Sequence, residues 1–123
     1  MATVNSAAQD AALNYIKNNA GHVYVCSAAP TTYTEASSTF ALGGATVTAT
    51  DYTLGTGSPS GRKITQAALT VTGTAAGTAT YYAIVDTVNS ALLFTNTMTN
   101  VAITNGGPQD LNAVDVWTVE DPA

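Results

Sequence analysis

Charge is scarce in this chain. Of its 123 residues, three are Lys or Arg, eight are Asp or Glu and one is His. Nucleic-acid binding draws its affinity from a basic footprint on phosphates, and Lys17, Arg62 and Lys63 cannot supply one. The same shortage leaves no polybasic patch for an anionic membrane surface. No apolar run reaches the ~18 residues of a membrane helix. The opening MATVNSAAQD has no charged n-region followed by an apolar stretch, so a chain made in the cytoplasm without a secretory leader is expected. One cysteine, Cys26, excludes an internal disulfide. One His and one Cys are too few for a zinc site, and no clustered-carboxylate calcium loop occurs. No metal or other cofactor is expected.

Large apolar residues are also few. Leu, Ile, Val and Phe total 24, against 22 alanines and 22 threonines. With only 9% charged residues, self-repulsion does not keep such a chain unfolded. The composition points to short strands with small side chains, supported by neighbouring subunits. A single domain over residues 1–123 is expected, since no linker divides the sequence.

Catalytic constellations are missing too. The stretch GTGSPSGRKIT, Gly55 to Thr65, holds two of the three cations and has the look of a phosphate loop. A phosphate loop requires G-x-x-x-x-G-K-S/T running into a helix, because loop amides and the helix N-terminus hold the phosphates together. Here Gly57 and Gly61 enclose three residues, Arg62 stands at the lysine position, and an alternating strand pattern follows. The reading is a loop leading into a strand, with Arg62 and Lys63 as interface candidates that meet carboxylates of a neighbouring subunit. Cys26 and His22 lie four residues apart, about 13 Å along a strand at ~3.3 Å per residue, too far for a thiol and its base. The only adjoining carboxylates are Glu120 and Asp121. No enzyme activity is expected.

Helix signals occur only at the start. Ser6 is read as the N-cap of a helix over residues 5–20, with Gln9 completing a capping box and Gly21 as a left-handed stop. Ala8, Ala12, Leu13, Ile16 and Ala20 form its apolar stripe. From residue 22 to 120 the pattern is strands and turns. HVYVCS alternates, and AAPTTYTEASST is a connection with a helical turn near Glu35. ATVTATDYTL, RKITQAALTVTG and GTATYYAIVD are strands. DTVNSA turns the last of these into ALLFTNTM, and TNVAIT and LNAVDVWTVED complete the set. Short strands at this spacing predict a mainly β fold: an antiparallel β-sandwich, immunoglobulin-like or jelly-roll-like, with one N-terminal helix. Leu69, Val71, Ile84, Val85, Val116 and Trp117 are expected in the core or an interface. Tyr81 and Tyr82 alternate, so one faces inward and the other is an interface anchor or a sugar-stacking platform.

The order of blocks resembles a known group. The blocks are an Ala-rich helix, VYVCSAAPTTYTEA, SGRKIT, GTATYYAIVD and a closing LNAVDVWTVEDP. Over about residues 20–120 they are similar to small virion structural proteins of tailed bacteriophages. The resemblance implies a β-rich, non-enzymatic subunit present in many copies on the virion. Its first expectation is a decoration or cement protein that binds and stabilises the capsid, with the major capsid protein as partner and a homo-oligomeric state. A neck, tail or fibre-base protein, or a host-glycan-binding module, is the alternative. No catalytic residue is carried over.

Overall fold

The computed structural model describes residues 5–57 and 61–119. The chain is mainly β, with two antiparallel sheets and one N-terminal helix. Helix α1 spans Ser6–Asn19. Its cap is Asn5 and not Ser6: the Asn5 carboxamide oxygen accepts the Ala7 N–H at 2.7 Å, satisfying one of the orphan donors of the first turn. The helix stops at Ala20, whose backbone is extended and whose N–H donates to the Ile16 carbonyl. Gly21 is therefore not a left-handed stop. Its value is space, because a Cβ there would strike the Thr87 side chain. Leu13, Ile16 and Ala20 are buried as expected, but Ala8 and Ala12 face solvent and Gln9 takes the inward position.

Among the described residues nine strands follow: β1 His22–Cys26, β2 Ala41–Thr46, β3 Tyr52–Thr56, β4 Arg62–Gln66, β5 Leu69–Gly73, β6 Gly77–Asp86, β7 Ala91–Ile103, β8 Pro108–Leu111 and β9 Val114–Val119. Six form a curled half-barrel in the order β7-β6-β1-β2-β5-β8, and three form a second sheet, β3-β4-β9. The sandwich is thus divided six plus three, unlike the four-plus-three of an immunoglobulin constant domain or the paired Greek keys of a jelly roll. Two segments expected as single strands each cross between the sheets. RKITQAALTVTG splits at Ala67–Ala68 into β4 and β5, and ATVTATDYTL breaks at the short 3-10 turn Ala49–Asp51 between the end of β2 and β3. Strand β8 lies ahead of LNAVDVWTVED, shares only Leu111 with it, and was not expected as a strand. ALLFTNTM and TNVAIT are instead one long strand, β7. The turn near Glu35 is a short π-helical segment, Glu35–Thr39.

Strand β2 carries no strand signal, since ALGGAT has two central glycines. Its fit to the sheet depends on them. A Cβ on Gly43 would lie 2.6 Å from the Thr72 carbonyl oxygen, and one on Gly44 would lie 2.8 Å from that of Val23. Such contacts are closer than real side chains allow, so only glycine brings the neighbouring backbones together here.

Alternation along β1 sorts the core. Val23 and Val25 point into the curl, and Tyr24 and Cys26 point out of it. Inside, Leu13 and Ile16 of α1 meet Val23, Tyr52, Ile64, Ile84 and Val116, so helix and second sheet cap the hollow of the first. Val25, Leu42, Val71, Ala79 and Ile103 fill the remainder of the hollow. Outside, Ala36 and the partly buried Tyr33 and Phe40 cover Cys26, Ala83 and Val85. Strand β6 is consequently buried on both faces from Tyr82 to Asp86. Burying each large side chain fully is worth about 1.5–3 kcal/mol. The burial also pushes the Cys26 thiol up to about 11, which fits an inert core residue.

Candidate functional site

The two ends of the six-stranded sheet, β7 and β8, follow one another in the chain but are not paired. They leave a shared turn at Thr104–Gly107, where the Gly107 N–H donates to the Thr104 carbonyl at 3.0 Å and Gly106 supplies a φ of 80°. Beyond the turn they diverge. The gap is a cleft of about 480 Å³. One wall is Thr97–Val101 of β7, and the other runs from Gln109 of β8 through the crossover to Val114. Gln66 and Tyr82 lie at its base, both buried.

The β7 wall is irregular for a local reason. Tyr81 pairs with Thr97 and Ala79 with Val101, so one residue of β6 stands opposite three of β7. Met98, Thr99 and Asn100 therefore leave the ladder as a bulge at a sheet edge, a place where bulges interrupt pairing. Local side-chain bonds hold the backbone on both walls. The Thr97 N–H donates to the Asn96 side-chain oxygen at 2.8 Å, and the Asp110 carbonyl accepts from the Gln109 amide at 3.2 Å.

The base is polar and incompletely bonded. The Tyr52 hydroxyl donates to Gln66 Oε1 at 3.0 Å. Burial, followed by the nearby Asp51 charge and Tyr82, pushes the Tyr52 phenol well above its ordinary range. Among the described residues the buried Tyr82 hydroxyl has no hydrogen-bond partner, and burial raises its pKa as well. An unsatisfied buried hydroxyl costs about 1–3 kcal/mol, so this one calls for a physical explanation. Among the described residues, Asp110 is the one charged residue in the lining. Thr70 Oγ1 donates to it at 2.7 Å.

The interface candidates fall in different places. Tyr82 is the inward tyrosine and belongs to the cleft base. Tyr81 points to the opposite face, half-buried against the cluster around Cys26. Trp117 is 39% exposed on the edge strand β9, while its neighbour Val116 is in the core. The indole stacks on Phe94, 6.3 Å between centroids, and Phe94 lies 6.5 Å from Tyr82, so an aromatic row runs from core to surface. Leu69 is half-buried, and Val71, Ile84 and Val85 are fully buried.

Arg62 and Lys63 already have partners within the chain. Arg62 Nε donates to Asp10 on α1 at 2.7 Å, and Lys63 Nζ donates to Asp115 on β9 at 3.1 Å. Hydrogen bonds from Lys63 and then Thr65, with the Lys63 charge, hold the Asp115 carboxyl below its usual range. The preceding loop closes the β3–β4 hairpin, with Thr56 opposite Arg62 and the Gly57 N–H donating to the Gly61 carbonyl. No helix N-terminus follows it. Ser58, Pro59 and Ser60 of this loop, and the Glu120–Asp121 pair, lie outside the described residues. His22 is half-buried and packs on Tyr24, 4.3 Å between centroids, and burial lowers its pKa.

Among the described residues, no three of His, Cys, Asp and Glu come together, and no helix is long and apolar enough to cross a membrane. No protein-family model matches the chain, and neither does any curated protein or solved structure. The cleft was not legible in the sequence. Its β7 wall spans the join of two segments read as separate strands, ALLFTNTM and TNVAIT, and β8 was not expected as a strand.

Proposed function

We propose that this chain is a non-enzymatic structural subunit of a phage virion, a decoration or cement protein that binds the capsid through its surface. The observation that carries the reading is the unclosed six-stranded sheet, whose two edges face each other without pairing. Unpaired edges template association with other chains, and natural proteins cover or block them. A subunit whose sheet is completed in an assembly has no need to complete it alone. The exposed Trp117 at the edge of the second sheet supplies an aromatic anchor of the kind that dominates interface energetics. A partner that binds only the folded state also stabilises a fold built from small side chains. The resemblance of its residue blocks to small virion structural proteins supports a virion as the setting.

The test is quantitative mass spectrometry of purified particles. Copies in proportion to the shell subunits, lost together with particle stability when the gene is deleted, are expected of a decoration protein. A handful of copies per particle moves the subunit to the neck, tail or fibre base. Particles without the chain overturn the virion reading.

A further inference from the structure

We propose that the seam between β7 and β8 accepts one extended segment of a partner protein as an added strand, with apolar side chains pointing into the cleft and a basic residue beside Asp110. This deepens the structural-subunit reading and rests on it only for the partner being another virion protein.

Four observations carry it. Both walls are sheet edges, so an entering strand finds backbone donors and acceptors on either side, as in recognition by strand addition. β8 offers four residues of edge, about 13 Å at ~3.3 Å per residue, enough to hold a short strand. Local side-chain bonds hold the backbone on both walls: the Thr97 N–H donates to Asn96 and the Gln109 amide donates to the Asp110 carbonyl. Each joins adjacent residues, and a backbone partner can displace it. Finally, among the described residues the Tyr82 hydroxyl, buried beneath the opening, has no partner. A small ligand would explain the cavity and the hydroxyl, but not two facing unpaired edges.

Charge selects the occupant. The chain is acidic, with a formal charge of −5, and among the described residues no Lys or Arg lines the cleft. Asp110 is the charge an incoming segment meets. A segment bearing Lys or Arg is attracted, whereas the chain's own Glu120–Asp121 sequence in a second copy is repelled. Met98, Val101 and Leu111, half-buried along the walls, favour apolar residues at alternate positions of the strand.

The probe is a short acetylated and amidated peptide alternating valine and threonine, with lysine at each end. It is titrated into the full chain while amide hydrogen exchange is followed residue by residue. The expected result is slowed exchange confined to Thr97–Val101 and Gln109–Leu111. A central proline in the peptide should abolish it, and glutamate in place of lysine should weaken it. Asp110→Asn should weaken binding of the lysine peptide about two- to fivefold, the scale of an exposed charge pair, and should leave the valine–threonine core of the peptide bound at the same amides. Exchange unchanged at saturating peptide overturns the proposal. So does protection of those amides before any peptide is added, which means that the seam closes on itself. Protection that rises with protein concentration alone makes a second copy the occupant, and protection by chitin oligosaccharides but not by peptide makes the cleft a glycan site; both overturn it. The virion reading stands or falls separately. A peptide-binding seam in a chain missing from particles removes the setting and keeps the site, and abundant copies on particles with an inert seam do the reverse.

Discussion

The two halves of the six-stranded sheet were built by opposite rules. Around β1 and β6 the sheet is covered on both faces. Residues Tyr82–Asp86 are buried without a break, with α1 and the second sheet on one side and the segment before β2 on the other. At β7 and β8 the ladder is interrupted by a three-residue bulge and the edges are unpaired, and beneath them the buried Tyr82 hydroxyl of β6 has no partner among the described residues. A closed barrel has no edges to manage. This sheet stops one step short of closure. Buried apolar contacts are concentrated in the covered half, and the open half carries the unpaired edges on which the proposed recognition rests. Regions that bind are commonly drawn from the less stable parts of a fold.

The largest contrast should come from truncating apolar side chains in the two halves. Ile84→Ala, at a fully buried position, is expected to cost about 2–5 kcal/mol in denaturant unfolding. Leu111→Ala on the seam wall should cost about 1 kcal/mol, because that side chain is already partly in water. Trp117→Ala should fall between them at about 1–2 kcal/mol, below the 3–5 of a buried ring, because the indole is 39% exposed and packs mainly on Phe94. Equal losses at Ile84 and Leu111 would show that the seam is packed as tightly as the core.

Glycine substitutions sharpen the same division. Gly43→Ala pushes a methyl against the Thr72 carbonyl in the middle of the sheet and should cost about 1–3 kcal/mol. Gly55 on β3 has nothing within 4 Å of an added Cβ. Its φ is not in the left-handed region. Gly55→Ala should therefore be neutral or stabilise by about 0.4–1 kcal/mol, through a less flexible unfolded chain. Thermal unfolding of the two variants decides the matter. A neutral Gly43→Ala would mean that β2 can move away from β5.

A smaller contrast separates two tyrosines at the cleft base. Tyr52→Phe removes a hydrogen bond and leaves buried Gln66 short of a donor, so a loss of about 1 kcal/mol is expected. Tyr82→Phe removes a hydroxyl that has no partner, so the free protein should gain up to about 1 kcal/mol. A Tyr82→Phe variant that is destabilised as much as Tyr52→Phe would mean that the hydroxyl is satisfied in the free protein.

How much of this the sequence carried follows from what each signal depends on. Alternation in HVYVC and GTATYYAIVD located the two central strands, because residues buried on one or both faces must be apolar. Helix α1 was legible from its stripe, although the cap moved by one residue. Strand β2 was hidden, since its two glycines are there for close approach and carry no strand propensity. The crossing at Ala67–Ala68 was hidden as well. A two-residue step of small side chains leaves the alternation on either side intact, so β4 and β5 read as one strand, and β8, opened by Pro108, carried no strand signal. The cleft depends on which edges remain unpaired, a property of topology. The clustering of Arg62 and Lys63 was visible at once, but their partners, Asp10 and Asp115, stand 52 residues away in each direction.

Those two ion pairs supply the smallest predicted effect and answer whether Arg62 and Lys63 serve the fold or a neighbour. Both pairs are partly exposed, with side-chain accessibilities of 28% on each side for Arg62–Asp10 and of 33% and 55% for Lys63–Asp115. Solvent screens such pairs, and each is expected to couple by about 0.2–1 kcal/mol. Double-mutant cycles on the free protein, Arg62→Ala with Asp10→Ala and Lys63→Ala with Asp115→Ala, measure this directly. The coupling should shrink with salt, because the Debye length falls from about 10 Å at 0.1 M to 3 Å at 1 M. Acid adds a signed check. The Asp115 carboxyl is held below its ordinary range in the folded chain, so its contribution is present above the unfolded value of about 3.9 and is lost as pH falls through the lower folded value. Lys63→Ala should flatten that part of the stability profile, because the lysine is the largest cause of the shift. Zero coupling in the free protein, together with weaker attachment of the double Ala variant to particles, would return both cations to an intersubunit role. Full coupling with unchanged attachment fixes them as ties that hold α1 and β9 to β4.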